Sequence, residues 1–212
     1  MERNYHTTDA IQIDNLELYA QTAFHEAGHA AAIYFGNRQK KLPPVYFEIQ
    51  VSKPAENNAQ LFAKVIDGQL IQNLPVTVID NLADLSDADK HSYQCAYEAD
   101  VMNLLVGPLA EAKYVAERDG EVFNQNLVNC NALKHYGGCS DVKKATTYLQ
   151  YFIGSPSRQK KKMQELFMQA YRFINRPSYW QAVMQLAEFI LAHDHDTISC
   201  EEIITVFNHY HR

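Results

Sequence analysis

The chain has 212 residues, 47% hydrophobic and 21% charged, enough to bury a core and ordinary for a globular protein. Its net charge of −6 argues against a generic nucleic-acid binder, and no apolar run approaches the ~20 residues that span a bilayer. The four cysteines are scattered without a C-x-x-C pair and read as free thiols of a reducing compartment. The N-terminus has no apolar segment of the signal-peptide kind, so a cytoplasmic location is expected.

In chain order, residues 1–13 are polar and read as an N-terminal arm, and residues 14–212 as a single domain. Asp14-Asn15-Leu16-Glu17 has the spacing of a helix start, and Gly36-Asn37 that of a stop. After Pro43-Pro44, Val45–Val51 alternates apolar and polar residues, as a half-buried strand does. Ala59–Ile66 reads as the returning strand across a turn at Pro54–Asn58, and Val76–Ile79 is a short apolar run of open assignment.

From Ser86 the pattern is helical almost to the end. One long segment covers Asp87–Arg118, with a kink or break expected at Pro108, where a backbone donor is lost. Residues 119–139 read as an irregular loop. Helices are then predicted from Ser140-Asp141 to Gly154 and over 157–174. Ser178–Gln181 and Ser199–Glu202, at capping-box spacing, open the last two. The basic run Arg158–Lys162 reads as a solvated helix face. The expected fold is mainly α, of the α+β class, with a small hairpin or sheet after the first long helix.

That helix carries Thr22-Ala23-Phe24-His25-Glu26-Ala27-Gly28-His29, which contains H-E-x-x-H. Four residues apart on a helix, His25 and His29 project from one face, a spacing at which two imidazoles hold one Zn²⁺. Glu26 points to an adjacent direction, toward a metal-bound water rather than the metal. The surrounding residues, from Ala23 to Ile33, are small and apolar, so the histidines and glutamate are expected to be buried and to need partners. A third ligand must come from elsewhere. Glu48 falls in a strand, Glu111 on an apolar helix face, and Asp141 at a helix start, where a plain cap is the commoner role.

His25-Glu26-Ala27-Gly28-His29-Ala30 resembles the zinc motif of the FtsH-type peptidase domain. Tyr136-Gly137-Gly138-Cys139-Ser140-Asp141-Val142-Lys143-Lys144-Ala145-Thr146 is similar to that family's T-G-A-S-N-D-L-x-x-A-T segment, and Gly107–Glu111 to its G-x-x-A-E helix. Leu186-Ala187-Glu188 and Glu201-Glu202-Ile203 resemble its closing region. The resemblance covers about residues 20–207. It implies a helical FtsH-peptidase-like fold, Zn²⁺ held by His25, His29 and Asp141, Glu26 as general base, and Glu111 beside a ligand at most.

The chain also departs from the family. It contains no G-x-x-x-x-G-K-[ST] and no membrane anchor. Its spacing from His29 to Asp141 implies insertions around 67–90 and 119–135, and Tyr136 and Ser140 replace the family's threonine and asparagine.

The expected function is a stand-alone zinc metalloendopeptidase acting on flexible or unfolded polypeptides. Its partners would be the peptide substrate, optionally a separate ATPase or unfoldase, and further copies of itself, without nucleic acid or a membrane span. The alternative is a zinc-bound, non-catalytic binding or regulatory module derived from a peptidase.

Overall fold

The structure, a computed structural model, describes residues 7–52, 62–71 and 86–209. The expected turn at Pro54–Asn58, the apolar run Val76–Ile79, the first residues of the expected returning strand and residues 1–6 of the arm lie outside these.

Helix α1 spans Thr7–Ala31, so it begins within the expected arm. No glycine or proline stands between Thr7 and Asn15, and nothing in that stretch stops a helix from extending backwards past Asp14. Gly36 does not stop the helix either. Ala32–Gly36 forms a π-helical turn and Asn37–Gln39 a further α turn. The chain leaves the helix where Lys41 takes a left-handed conformation (φ 55°) and Leu42 N–H bonds back to the Asn37 carbonyl.

Strands β1 (Phe47–Val51) and β2 (Ala63–Asp67) form the expected antiparallel hairpin. A third strand that the sequence does not announce, β3 (Thr197–Ile198), pairs with the other side of β1, giving the order β2-β1-β3. The β2 edge is therefore free of strand partners among the described residues.

Helix α2 (Asp87–Arg118) has the expected bounds but runs through Pro108 without a break. Ser86 caps it, accepting from Asp89 N–H at 3.2 Å. The following loop contains a 3₁₀ turn, Ala132–His135, before α3 (Cys139–Phe152).

Helix α4 (Pro156–Ile174) leads into α5 (Pro177–Ala192). The expected capping box at Ser178 is not used: α5 starts a residue earlier, with proline in its first turn and Arg176 as an N-cap that makes no side-chain cap bond. At α6 (Cys200–His209) the box does form. Ser199 Oγ accepts from Glu202 N–H at 3.3 Å and Ser199 N–H donates to the Glu202 carboxylate at 2.8 Å.

Helix α1 packs against α2 and α5. Its inner face is small: Ala23, Ala27, Ala30, Ala31 and Ala32 are wholly buried. Gly28 sets the closest approach, because a Cβ there would lie 2.7 Å from that of Ala110 and 3.0 Å from the Val106 carbonyl oxygen. The buried apolar residues form one contiguous cluster running from Ala23 to Phe207. The result is a mainly α, α+β fold in which α1 is held rigidly between two helices and the sheet. No helix among the described residues is long and apolar enough to cross a membrane.

Candidate metal centre

His25 and His29 lie on the α1 face that meets α2, and both are more than nine-tenths buried. Each has its Nδ1 occupied by α2. His25 Nδ1 donates to Glu111 Oε2 at 2.8 Å, and His29 Nδ1 donates to the Asn103 carbonyl oxygen at 2.8 Å. These bonds fix the rings and leave both Nε2 atoms turned toward the same place.

Asp141, in the first turn of α3, closes the group. Its Oδ2 is 3.2 Å from His25 Nε2 and its Oδ1 is 3.7 Å from His29 Nε2. One ligand atom from each of His25, His29 and Asp141 falls within 4.8 Å of the others, and this is the sole group of three metal-type ligands among the described residues. Metal–ligand bonds of ~2.1 Å in tetrahedral geometry place neighbouring ligand atoms ~3.4 Å apart. The observed 3.2 and 3.7 Å separations bracket that edge. The donor set of two imidazoles and one carboxylate fits a divalent first-row ion, with a fourth position left open.

The electrostatics agree with a site prepared for a cation. Burial alone would lower the His25 pKa, but hydrogen bonds to Asp141 and Glu111, with the charge of Glu26, outweigh it and raise it from 6.5 to about 10. Burial pushes the Asp141 carboxyl up, and its bond to His25 with the nearby His29 brings it below the usual value. Without a metal, His25 therefore holds a proton in the place where the ion would sit.

Three glycines make room. A side chain on Gly107 would overlap the His29 ring at Nε2. Gly137 has a left-handed backbone (φ 65°), and a Cβ on it would lie 2.8 Å from Glu111 Oε2 and 3.0 Å from His25 Nδ1. A Cβ on Gly138 would lie 2.7 Å from that of Pro108, so Gly137-Gly138 lets the start of α3 press onto α2.

Glu26 lies on the same helix but outside the ligand group. Its Oε2 accepts the backbone N–H of Val65 at 2.7 Å. Residue pairs 46/68 and 52/62 exchange ladder bonds, so by antiparallel alternation Val65, opposite Ile49, directs its N–H away from β1. The carboxylate thus meets the free edge of the sheet. A cleft of about 710 Å³ joins these parts, with His25, Glu26, His29 and Asp141 along one side and residues 64–69 along the other.

The 68–71 wall is held from below. Asp100, 2% exposed, accepts the N–H groups of Leu70 and Ile71, each at 2.9 Å, and the Tyr148 hydroxyl donates to the Ile71 carbonyl at 3.1 Å. Burial raises the Asp100 pKa despite those amides.

Of the candidate third ligands, Asp141 joins the histidines. Glu111 stands behind His25. Glu48 lies apart on β1, accepting from the Tyr46 hydroxyl at 2.8 Å. Sequence reasoning missed the Asn103 carbonyl and the Val65 amide, because any residue supplies a peptide group and no side-chain pattern marks them. Asp100 carried a weak signal, a lone carboxylate in the apolar face of a helix. No protein-family model matches the chain, and no curated protein matches it.

Proposed function

We propose that the chain is a zinc-dependent metallopeptidase of the FtsH-type kind, working without an ATPase of its own. The observation that carries this reading is the convergence of His25 Nε2, His29 Nε2 and the Asp141 carboxylate from positions 116 residues apart in sequence, beside a buried glutamate. His25, His29 and Asp141 would hold the ion. When bound, zinc supplies a Lewis acid that acidifies water and polarises a carbonyl.

Glu26 is the general base. Val65 N–H holds its Oε2, leaving Oε1 to accept the proton of the attacking water and pass it to the leaving amine. Glu111 and the Asn103 carbonyl keep the imidazoles in the tautomer that presents Nε2. The free β2 edge faces the same cleft, so an extended peptide can lie along it as an added strand. That geometry suits flexible or unfolded polypeptides, with any unfolding done by a separate partner. Four free cysteines fit a cytoplasmic enzyme.

The bond from Val65 to Glu26 also gives the second reading its support. A carboxylate engaged by a backbone amide can be purely structural, as in a zinc-bound binding module.

Casein hydrolysis by zinc-loaded protein separates the two, run beside a chelator-treated sample and Glu26→Gln. Cleavage lost in both controls supports the peptidase. A full equivalent of bound zinc with no cleavage of casein or of short flexible peptides leaves the binding module.

A further inference from the structure

At the far end of the α1 helix, beyond its π turn, lies a second cleft of about 370 Å³, walled by α2, α4 and the start of α5. Three cationic side chains line it, Lys40, Arg172 and Arg176, and no carboxylate does. In a chain of net charge −6 this is a local excess of positive charge.

Lys40 is half-buried there, and no described carboxylate comes within ion-pair distance of it. Burial pushes its pKa down, and the nearest acids, Glu98 and Glu165, are both held by Lys162 at 3.0 Å. Arg172 has no described hydrogen bond or ion pair. Arg176 reaches only the Tyr179 hydroxyl, at 3.1 Å, and its guanidinium lies over that ring. The uncapped N-terminus of α5 opens on the same rim, adding its partial positive charge. A desolvated ammonium between two guanidinium groups, with no internal counter-ion, lacks an anion.

From this convergence of three unopposed cations we propose that the cleft is a binding site for a multivalent oxyanion of the phosphate class. A monocarboxylate would be neutralised by one of the three cations, whereas a phosphate carries the charge and the oxygen count to engage all of them. The volume exceeds that of free phosphate, and Met102, Phe173 and Tyr179 supply apolar walls for the organic part of a small phosphomonoester. The site is separate from the metal centre and does not depend on the peptidase reading.

Isothermal titration of inorganic phosphate and of pyrophosphate into the full chain tests it. The metal is stripped first, so that phosphate ligating zinc does not register, and ionic strength is matched with chloride. One saturable site is expected, weakened at least about tenfold in Lys40→Met and in Arg172→Gln, as loss of a charged hydrogen bond predicts. Arg172 is exposed, so its variant should fold even if the lysine variant does not. No saturable heat beyond that of chloride overturns the proposal, and so does unchanged affinity in Arg172→Gln. Binding to phosphatidylglycerol vesicles without binding of free phosphate overturns the soluble ligand in favour of a lipid headgroup.

Discussion

On each histidine the chain itself decides where the proton sits, by a carboxylate on His25 and a peptide carbonyl on His29. The carboxylate does more than orient, because its charge raises the basicity of the imidazole it touches. Glu111→Gln keeps the shape and removes the charge. Zinc affinity, measured by competition with a chromophoric chelator, should fall about tenfold. Unchanged affinity would reduce Glu111 to packing.

In the metal-free chain the same bonds leave a pH signature. The folded pKa of His25, about 10, stands above its model value of 6.5. The pairing therefore stabilises the fold fully below pH 6.5, and that contribution is lost as pH rises through about 10. Urea midpoints of chelator-treated protein should drop between pH 6 and pH 10 by roughly 1–2 kcal/mol. His25→Asn should lack that slope, and an equal slope in the variant would place its origin elsewhere.

Elements explain how much of the site could be read in advance. The H-E-x-x-H spacing gave the face of α1, because two side chains four apart on a helix have only one relation. It said nothing of the partner surface. Alanines and Gly28 on the inner face show that α1 approaches something closely, and only the packing shows it to be Val106–Ala110 of α2. The third strand was illegible for a similar reason. Two residues carry no periodicity, and Thr197-Ile198 is a strand only because β1 offers its edge.

The bond between Glu26 and β2 yields a sharp test at this scale. Proline at position 65 removes an N–H that points off the sheet edge and breaks no ladder bond with β1. In Val65→Pro the general base loses its anchor while zinc content stays at one per chain. We expect kcat on a flexible peptide to fall about tenfold or more with little change in KM. A kcat equal to the parent's would show that the amide does not orient Glu26.

Across the whole molecule, the candidate centre joins α1, α2 and α3, and the loop between α2 and α3 is placed by the same contacts. Helix existence was legible throughout, since Asp87–Arg118 and the α6 capping box stand where the patterns put them. The joining of His25 to Asp141 was legible only by resemblance, because a helix-start aspartate looks the same whether it caps a helix or holds a metal. Thermodynamic linkage distinguishes the two roles. An ion bound to three helices at once favours the folded chain by RT ln(1 + [L]/Kd), about 2.7 kcal/mol at a hundredfold excess over Kd. Zinc should therefore raise the melting temperature of the parent protein by several degrees. Asp141→Ala should melt near the metal-free parent and gain little from added zinc. If that variant instead melts far below the metal-free parent yet still responds fully to zinc, Asp141 serves the start of α3, and the ion takes its third ligand elsewhere.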